Sequence, residues 1–215
     1  MPISLESLQA KLATRVSTLN SAFDRSIASR GATRRVDRHA FQEGLISALW
    51  QSWGGFCRAT ILHSASGNAT VAGAAVTSPY AGRPDAEIAW IAKRLAEHAS
   101  VANVRALTAM RQEPTWGDVT KLNLITAGMP TSNQSTLVSS FSAPVSLKDL
   151  QLCRNASAHI NRDLLAELNR ARVRYSRTML HHPSDVMNWI DPTSGDYVWR
   201  LWVDEIIAVS QLAAS

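Results

Sequence analysis

A chain of 215 residues with 46% apolar content is long enough and apolar enough to bury a proper core, which excludes a disordered tail. The net charge is +5, and most of the 22 basic residues are arginine, the side chain best suited to bidentate phosphate contact, so a polyanionic partner such as RNA is favoured. Two cysteines, Cys57 and Cys153, sit inside helical patterns and read as buried free thiols of a reducing compartment.

The N-terminal Pro2-Ile3-Ser4-Leu5-Glu6-Ser7 lacks the basic and apolar regions of a secretion signal, and the longest small-apolar run, near Ala69 to Val76, is far short of a membrane span. A cytoplasmic protein without membrane partners is expected. Leu8, Leu12, Val16, Leu19, Phe23 and Ile27 recur at helical spacing and predict a first helix over about 3–28. Ile46, Trp50, Trp53, Cys57 and Ile61 form the stripe of a second, over about 38–63, in which Gly54-Gly55 are expected to let another helix approach closely. Trp50 and Trp53, spaced among apolar neighbours, read as core residues and not as base-stacking platforms.

Residues 64–84 are rich in Gly, Ala, Ser and Pro without period and read as a loop. Asp85 is placed to cap a helix carrying Ile88, Ile91, Leu95 and Ala99, and shorter helices are expected over Trp116–Ala127 and Ser135–Phe141. The segment 64–145 as a whole reads as an insertion. Ser146-Leu147-Lys148-Asp149 resembles a capping box opening a long helix over about 146–180, with Leu150, Cys153, Ser157, Ile160, Leu164 and Leu168 as its core stripe. A last helix, about 196–213, buries Val198, Trp202, Ile206 and Val209 with Trp199 on its flank. Period-two strands are nearly absent, so the predicted fold is all-α: one domain over 1–215, a helical bundle with an insertion.

An arginine followed by a histidine with four residues between occurs at Arg34/His39, Arg58/His63, Arg154/His159 and Arg177/His182, so spacing alone selects none of them. What distinguishes the third is Asn155, directly after the arginine and one helical turn before His159, where its amide can reach the imidazole. On a continuous helix centred on Ile160 as the buried position, Arg154, Ala158, Asn155 and His159 fall at about 120°, 160°, 220° and 260°, all away from the core. A guanidinium, an amide and an imidazole together can bind a phosphate and move a proton, which is most of what metal-free RNA cleavage requires. Such cleavage uses one base and one acid, and a homodimer pairing this helix with its own copy across small Ala158 would supply two imidazoles.

The segment Leu152-Cys153-Arg154-Asn155-Ala156-Ser157-Ala158-His159-Ile160-Asn161 resembles the signature of the HEPN superfamily in its RN-x-x-AH form. The surroundings fit as well: a helix with Trp50-x-x-Trp53-x-x-Phe56-x-Arg58 upstream, and Asp185-Val186-Met187-Asn188-Trp189 leading to a closing helix with Trp199 and Trp202. The resemblance implies an all-α homodimer and a metal-independent endoribonuclease of toxin–antitoxin, abortive-infection or CRISPR-linked defence, with an antitoxin or other regulatory protein as a possible partner. The alternative it implies is a catalytically inactive module that binds RNA, a nucleotide or a partner protein. Arg154 would then hold the scissile phosphate, Asn155 would orient groups and His159 would act as general acid and base. Arg162, Arg58 and Ser157 are the candidate RNA contacts, and the arginines from Arg170 to Arg177 form either an RNA-guiding stripe or a solvated surface. No HExxH, CxxC, glycine-rich phosphate loop or GxSxG is present, so neither a metal nor a cofactor is expected. His181-His182 read as a helix C-cap in preference to a metal site.

Overall fold

The structure is a computed structural model that describes residues 2–215, and it is mostly helical. Two compact units are formed. The first gathers the chain up to Leu12, Trp53–Pro144 and Ile207–Ser215; the second gathers Ala13–Ser52 and Val145–Ile206. Three helices contribute to both: α1 (Leu5–Ala28), α2 (Arg35–Ala65) and α8 (Val198–Ala214). No helix among the described residues is long and apolar enough to cross a membrane.

The first unit holds α3 (Asp85–Ala96), α4 (Val119–Gly128) and α5 (Gln134–Ser142), with α4 packed on both of its neighbours. The pieces predicted over 116–127 and 135–141 are α4 and α5. Asp85 opens α3 from its first turn; Pro84 is the N-cap residue, and Ala99 lies beyond the helix end. At Gly128 a β-carbon would come within 2.4 Å of the end of the Leu95 side chain, so any larger residue there requires Leu95 to shift. Beside Gly54 the neighbour is not a helix but the Gly117 backbone, 3.6 Å from where a β-carbon would lie, and the Trp53 indole donates to the Gly117 carbonyl at 3.1 Å.

The segment read as a loop, 64–84, contains a hairpin. β2 (Ala69–Val71) pairs antiparallel with β3 (Ala74–Ala75) through Ala72 and Gly73, both at positive φ, and β1 (Ile3–Ser4) runs parallel to β2 with Ile3 opposite Ala69. Two positive-φ residues between strands are the signature of the tight turn that matches strand twist. Strands of two or three residues carry too little alternation to announce themselves in sequence.

In the second unit α1 and α8 meet where Phe23 stacks on Trp199, their centroids 5.4 Å apart, while the Trp199 indole donates to Asn20 at 3.1 Å. Trp199 is therefore a fully buried core residue and not a flanking one. The long helix predicted over 146–180 is two helices, α6 (Leu147–Ala158) and α7 (Arg162–Ala171), followed by a 3₁₀ turn at Arg172–Arg174. His159 takes φ −141° and ψ 77°, which leaves the helix, and Asn161 starts the next one by accepting the Leu164 N–H on its Oδ1 at 2.9 Å. That side-chain cap, together with Asp163 in the first turn, explains the break. Ile160, expected at the centre of the buried face, is 61% exposed, and Ala156 is buried in its stead.

The capping box expected at Ser146 is absent. The Ser146 hydroxyl donates to Glu205 of α8 at 2.6 Å, and the same carboxylate accepts the N–H groups of Val145 and Leu147 at 2.7 and 2.9 Å. A side chain from α8 thus satisfies the free donors at the α6 N-terminus. Asp149 accepts from Arg174 and from the Tyr175 hydroxyl, the latter at 2.5 Å.

Candidate functional site

Within the second unit the last turn of α6 presents Arg154, Asn155 and Ala158, and His159 follows at the helix end. Arg154, Ser157 and Ala158 line one wall of a groove of about 330 Å³ whose other wall is α2, through Ala40, Glu43, Gly44 and Ser47. The small residues at 40, 44 and 158 keep the groove open. His159 is exposed and lies outside the groove's lining.

The Arg154 guanidinium donates to Asn155 Oδ1 at 3.1 Å. The Asn155 amide therefore holds the arginine and not the imidazole, contrary to the contact predicted on a continuous helix. Asn155 and His159 are joined only through the backbone, His159 N–H to the Asn155 carbonyl at 2.9 Å. Arg162 is exposed at the start of α7, beyond the break.

Arg58 lies in the first unit and is bound bidentately by Glu113, at 2.7 and 2.8 Å, while the Trp116 indole donates to the same carboxylate at 2.7 Å. A guanidinium held this way is a structural tie with little capacity left for RNA. Arg174 is likewise occupied by Asp149. Cys153 is buried, its thiol donating to the Pro183 carbonyl at 3.2 Å; burial pushes its pKa far up, so it is no nucleophile.

A second constellation lies on the other side of Glu43. His182 Nε2 meets Glu43 Oε1 at 3.1 Å, and the His182 ring stacks on His39 with centroids 4.6 Å apart. Asp185 Oδ2 accepts the N–H groups of His181 and His182 at 2.8 and 3.0 Å, and its Oδ1 lies 3.5 Å from His39 Nε2. Ser184 Oγ is shared between His182 Nδ1 at 2.9 Å and Gln42 at 3.3 Å. The His39 pKa is lowered, first by burial and then by the charges of His182, Arg38 and Arg35, against which Asp185 acts in part. His39 and His182 each belong to an Arg-x4-His pair that spacing could not separate from the third.

His182 opens a helix instead of closing one. It is the N-cap of the 3₁₀ turn Pro183–Asn188, with Pro183 at the first helical position and Asp185 returning the cap. Pro at that position and an acid two residues later were visible in sequence; histidine as the cap was the unfamiliar part. Comparison of the chain with protein-family models, curated proteins and solved structures returns no match.

Proposed function

We propose that this chain is a metal-independent endoribonuclease of HEPN type, acting as a homodimer and serving as a toxin or anti-phage effector restrained by a partner protein. The observation that carries the reading is the position of the motif: Arg154 lines an open groove, and α6 stops at Ala158, so that His159 follows as an exposed residue at the helix end. His159 of one copy takes the proton of a 2′-hydroxyl, whose oxygen attacks the adjacent phosphorus. The P–O5′ bond breaks, the leaving 5′-oxygen takes a proton from His159 of the second copy, and Arg154 stabilises the charge on the equatorial oxygens. The products are a 2′,3′-cyclic phosphate and a 5′-hydroxyl. Ser157 contributes to the groove wall, but its hydroxyl oxygen is buried, so contact with the phosphate falls to Arg154.

A second reading, a binding module without catalysis, is favoured by one observation: no side-chain hydrogen bond orients the His159 ring among the described residues, since Asn155 serves Arg154. The test is incubation of the purified chain with total RNA in EDTA, beside His159→Ala, with analysis of product ends and of the oligomeric state. The nuclease reading expects cyclic-phosphate ends and a loss of about 10² to 10⁴ in rate for His159→Ala with the dimer intact. RNA protection without cleavage selects the binding module, and cleavage at undiminished rate by His159→Ala rejects the assignment of that residue.

A further inference from the structure

Away from the motif groove, the second unit contains a pocket of about 220 Å³ with an unusual charge balance. Arg30 in the turn after α1, Arg38 of α2 and Arg177 all line it, and none has an ion-pair partner among the described residues. The single carboxylate in the lining is Asp185, whose oxygens face the backbone N–H groups of His181 and His182 and the His39 ring. Three guanidiniums against one engaged carboxylate leave the pocket short of negative charge, and the deficit of about two matches a phosphomonoester, which carries about −1.5 to −2 near neutral pH.

Three further features say that the pocket is built for more than an inorganic ion. Asn188 lines it, and both Asn188 amide atoms, Nδ2 and Oδ1, are buried without a hydrogen-bond partner. An amide left so bears the full penalty of its desolvation, which a ligand offering a paired donor and acceptor would remove. Tyr197, only partly buried, supplies aromatic wall, with the buried Trp189 behind the lining. Arg177 is held at φ +50°, a backbone region that non-glycine residues rarely occupy and that tends to appear where a side chain is being aimed.

We propose that this pocket binds a nucleotide through its terminal phosphomonoester, with Arg30, Arg38 and Arg177 on the phosphoryl oxygens and the base against Tyr197 within reach of the Asn188 amide. The ligand chemistry is common to a free mononucleotide and to the phosphorylated end of an RNA strand. The site is independent of the ribonuclease reading, since none of its residues belongs to the motif groove.

The test is calorimetric titration of the full chain with adenosine 5′-monophosphate, adenosine, inorganic phosphate, and a short oligoribonucleotide with and without a 5′-phosphate. Adenosine 5′-monophosphate is expected to bind more tightly than adenosine or inorganic phosphate. Arg177→Gly, which suits the positive φ and so preserves the fold, is expected to weaken binding about 10- to 100-fold, as loss of a charge-assisted contact should. Arg38→Gln gives a second, independent loss. Binding of the 5′-phosphorylated strand but not its 5′-hydroxyl counterpart assigns the pocket to strand ends; binding of the mononucleotide alone assigns it to free nucleotide. Equal affinity for adenosine and its monophosphate, equal affinity for phosphate alone, or full affinity in both folded variants overturns the proposal, as does the absence of binding by every phosphorylated probe.

Discussion

His39 and His182 stack with their ring planes 19° from parallel and their centroids 4.6 Å apart, one on α2 and the other at the start of the Pro183–Asn188 turn. Each ring has its own carboxylate, Asp185 for His39 and Glu43 for His182. Glu43 also lines the groove that Arg154 faces, and Asp185 lines the arginine pocket, so this stack stands between the two candidate binding regions of the second unit. Its charge state is therefore a property of both.

Stability of the chain should fall on acidification, in part through His39. Its pKa lies below the ordinary 6.5, burial being the first cause. A base whose folded pKa is depressed binds fewer protons in the native state than in the unfolded one, so stability declines as pH drops below about 6.5 and levels off once the folded pKa is passed. Above pH 7 the group contributes nothing to the slope. The Asp185 carboxylate at 3.5 Å offsets this only partly, while His182, Arg38 and Arg35 reinforce it. Urea midpoints measured between pH 5 and 7.5 should fall more steeply for the natural chain than for His39→Gln. Parallel curves would remove His39 as the cause.

Arg58→Ala should be a stability variant and not an activity variant. Glu113 is 8% exposed and would keep only the Trp116 indole, leaving a carboxylate poorly compensated, at a cost of about 1–3 kcal/mol. For a chain of this size that lowers Tm by about 2–4 °C per kcal/mol. If the ribonuclease proposal holds, RNA cleavage per folded molecule is unchanged in this variant. An unchanged Tm with lost cleavage would return Arg58 to the RNA-binding surface.

Glu205 tests whether α6 is held from outside its own sequence. Three donors, from Val145, Ser146 and Leu147, converge on its carboxylate. Glu205→Ala should cost about 0.5–2 kcal/mol, the range of a lost helix cap, whereas Ser146→Ala should cost less because two of the three bonds survive. Equal losses in a thermal melt would show that Ser146 and not Glu205 sets the cap.

Periodicity made the major helices legible: α1, α2, α3 and α8 lie where their apolar spacing puts them, the shorter helices expected over 116–127 and 135–141 are α4 and α5, and Trp50 and Trp53 are buried as read. The errors come from features to which apolar period is blind. Leu164 and Leu168 continue the register of Ile160 by fours, which makes 146–180 look unbroken, yet one capping asparagine ends that continuity. The Glu205 cap joins residues far apart in sequence, so no local pattern shows it. The histidine stack was present in sequence only as two of four equivalent spacings, because pairing His39 with His182 needs the tertiary fold.

Asn161 carries the last prediction, because it decides where His159 points. In sequence, Ile160, Leu164 and Leu168 invite a continuous helix; in the structure, Asn161 Oδ1 caps Leu164 N–H at 2.9 Å and the chain turns at His159. Asn161→Ala should lose about 0.5–2 kcal/mol of cap. It should also raise helicity in far-UV circular dichroism, as α6 and α7 gain residues between them. If the ribonuclease proposal holds, cleavage then falls because His159 is drawn into the helix, while binding through Arg154 persists. Asn161→Asp, a cap of equal quality, should retain both the break and the activity. Unchanged helicity with full cleavage in Asn161→Ala would mean that the packing of α6 and α7, and not the cap, fixes the turn at His159.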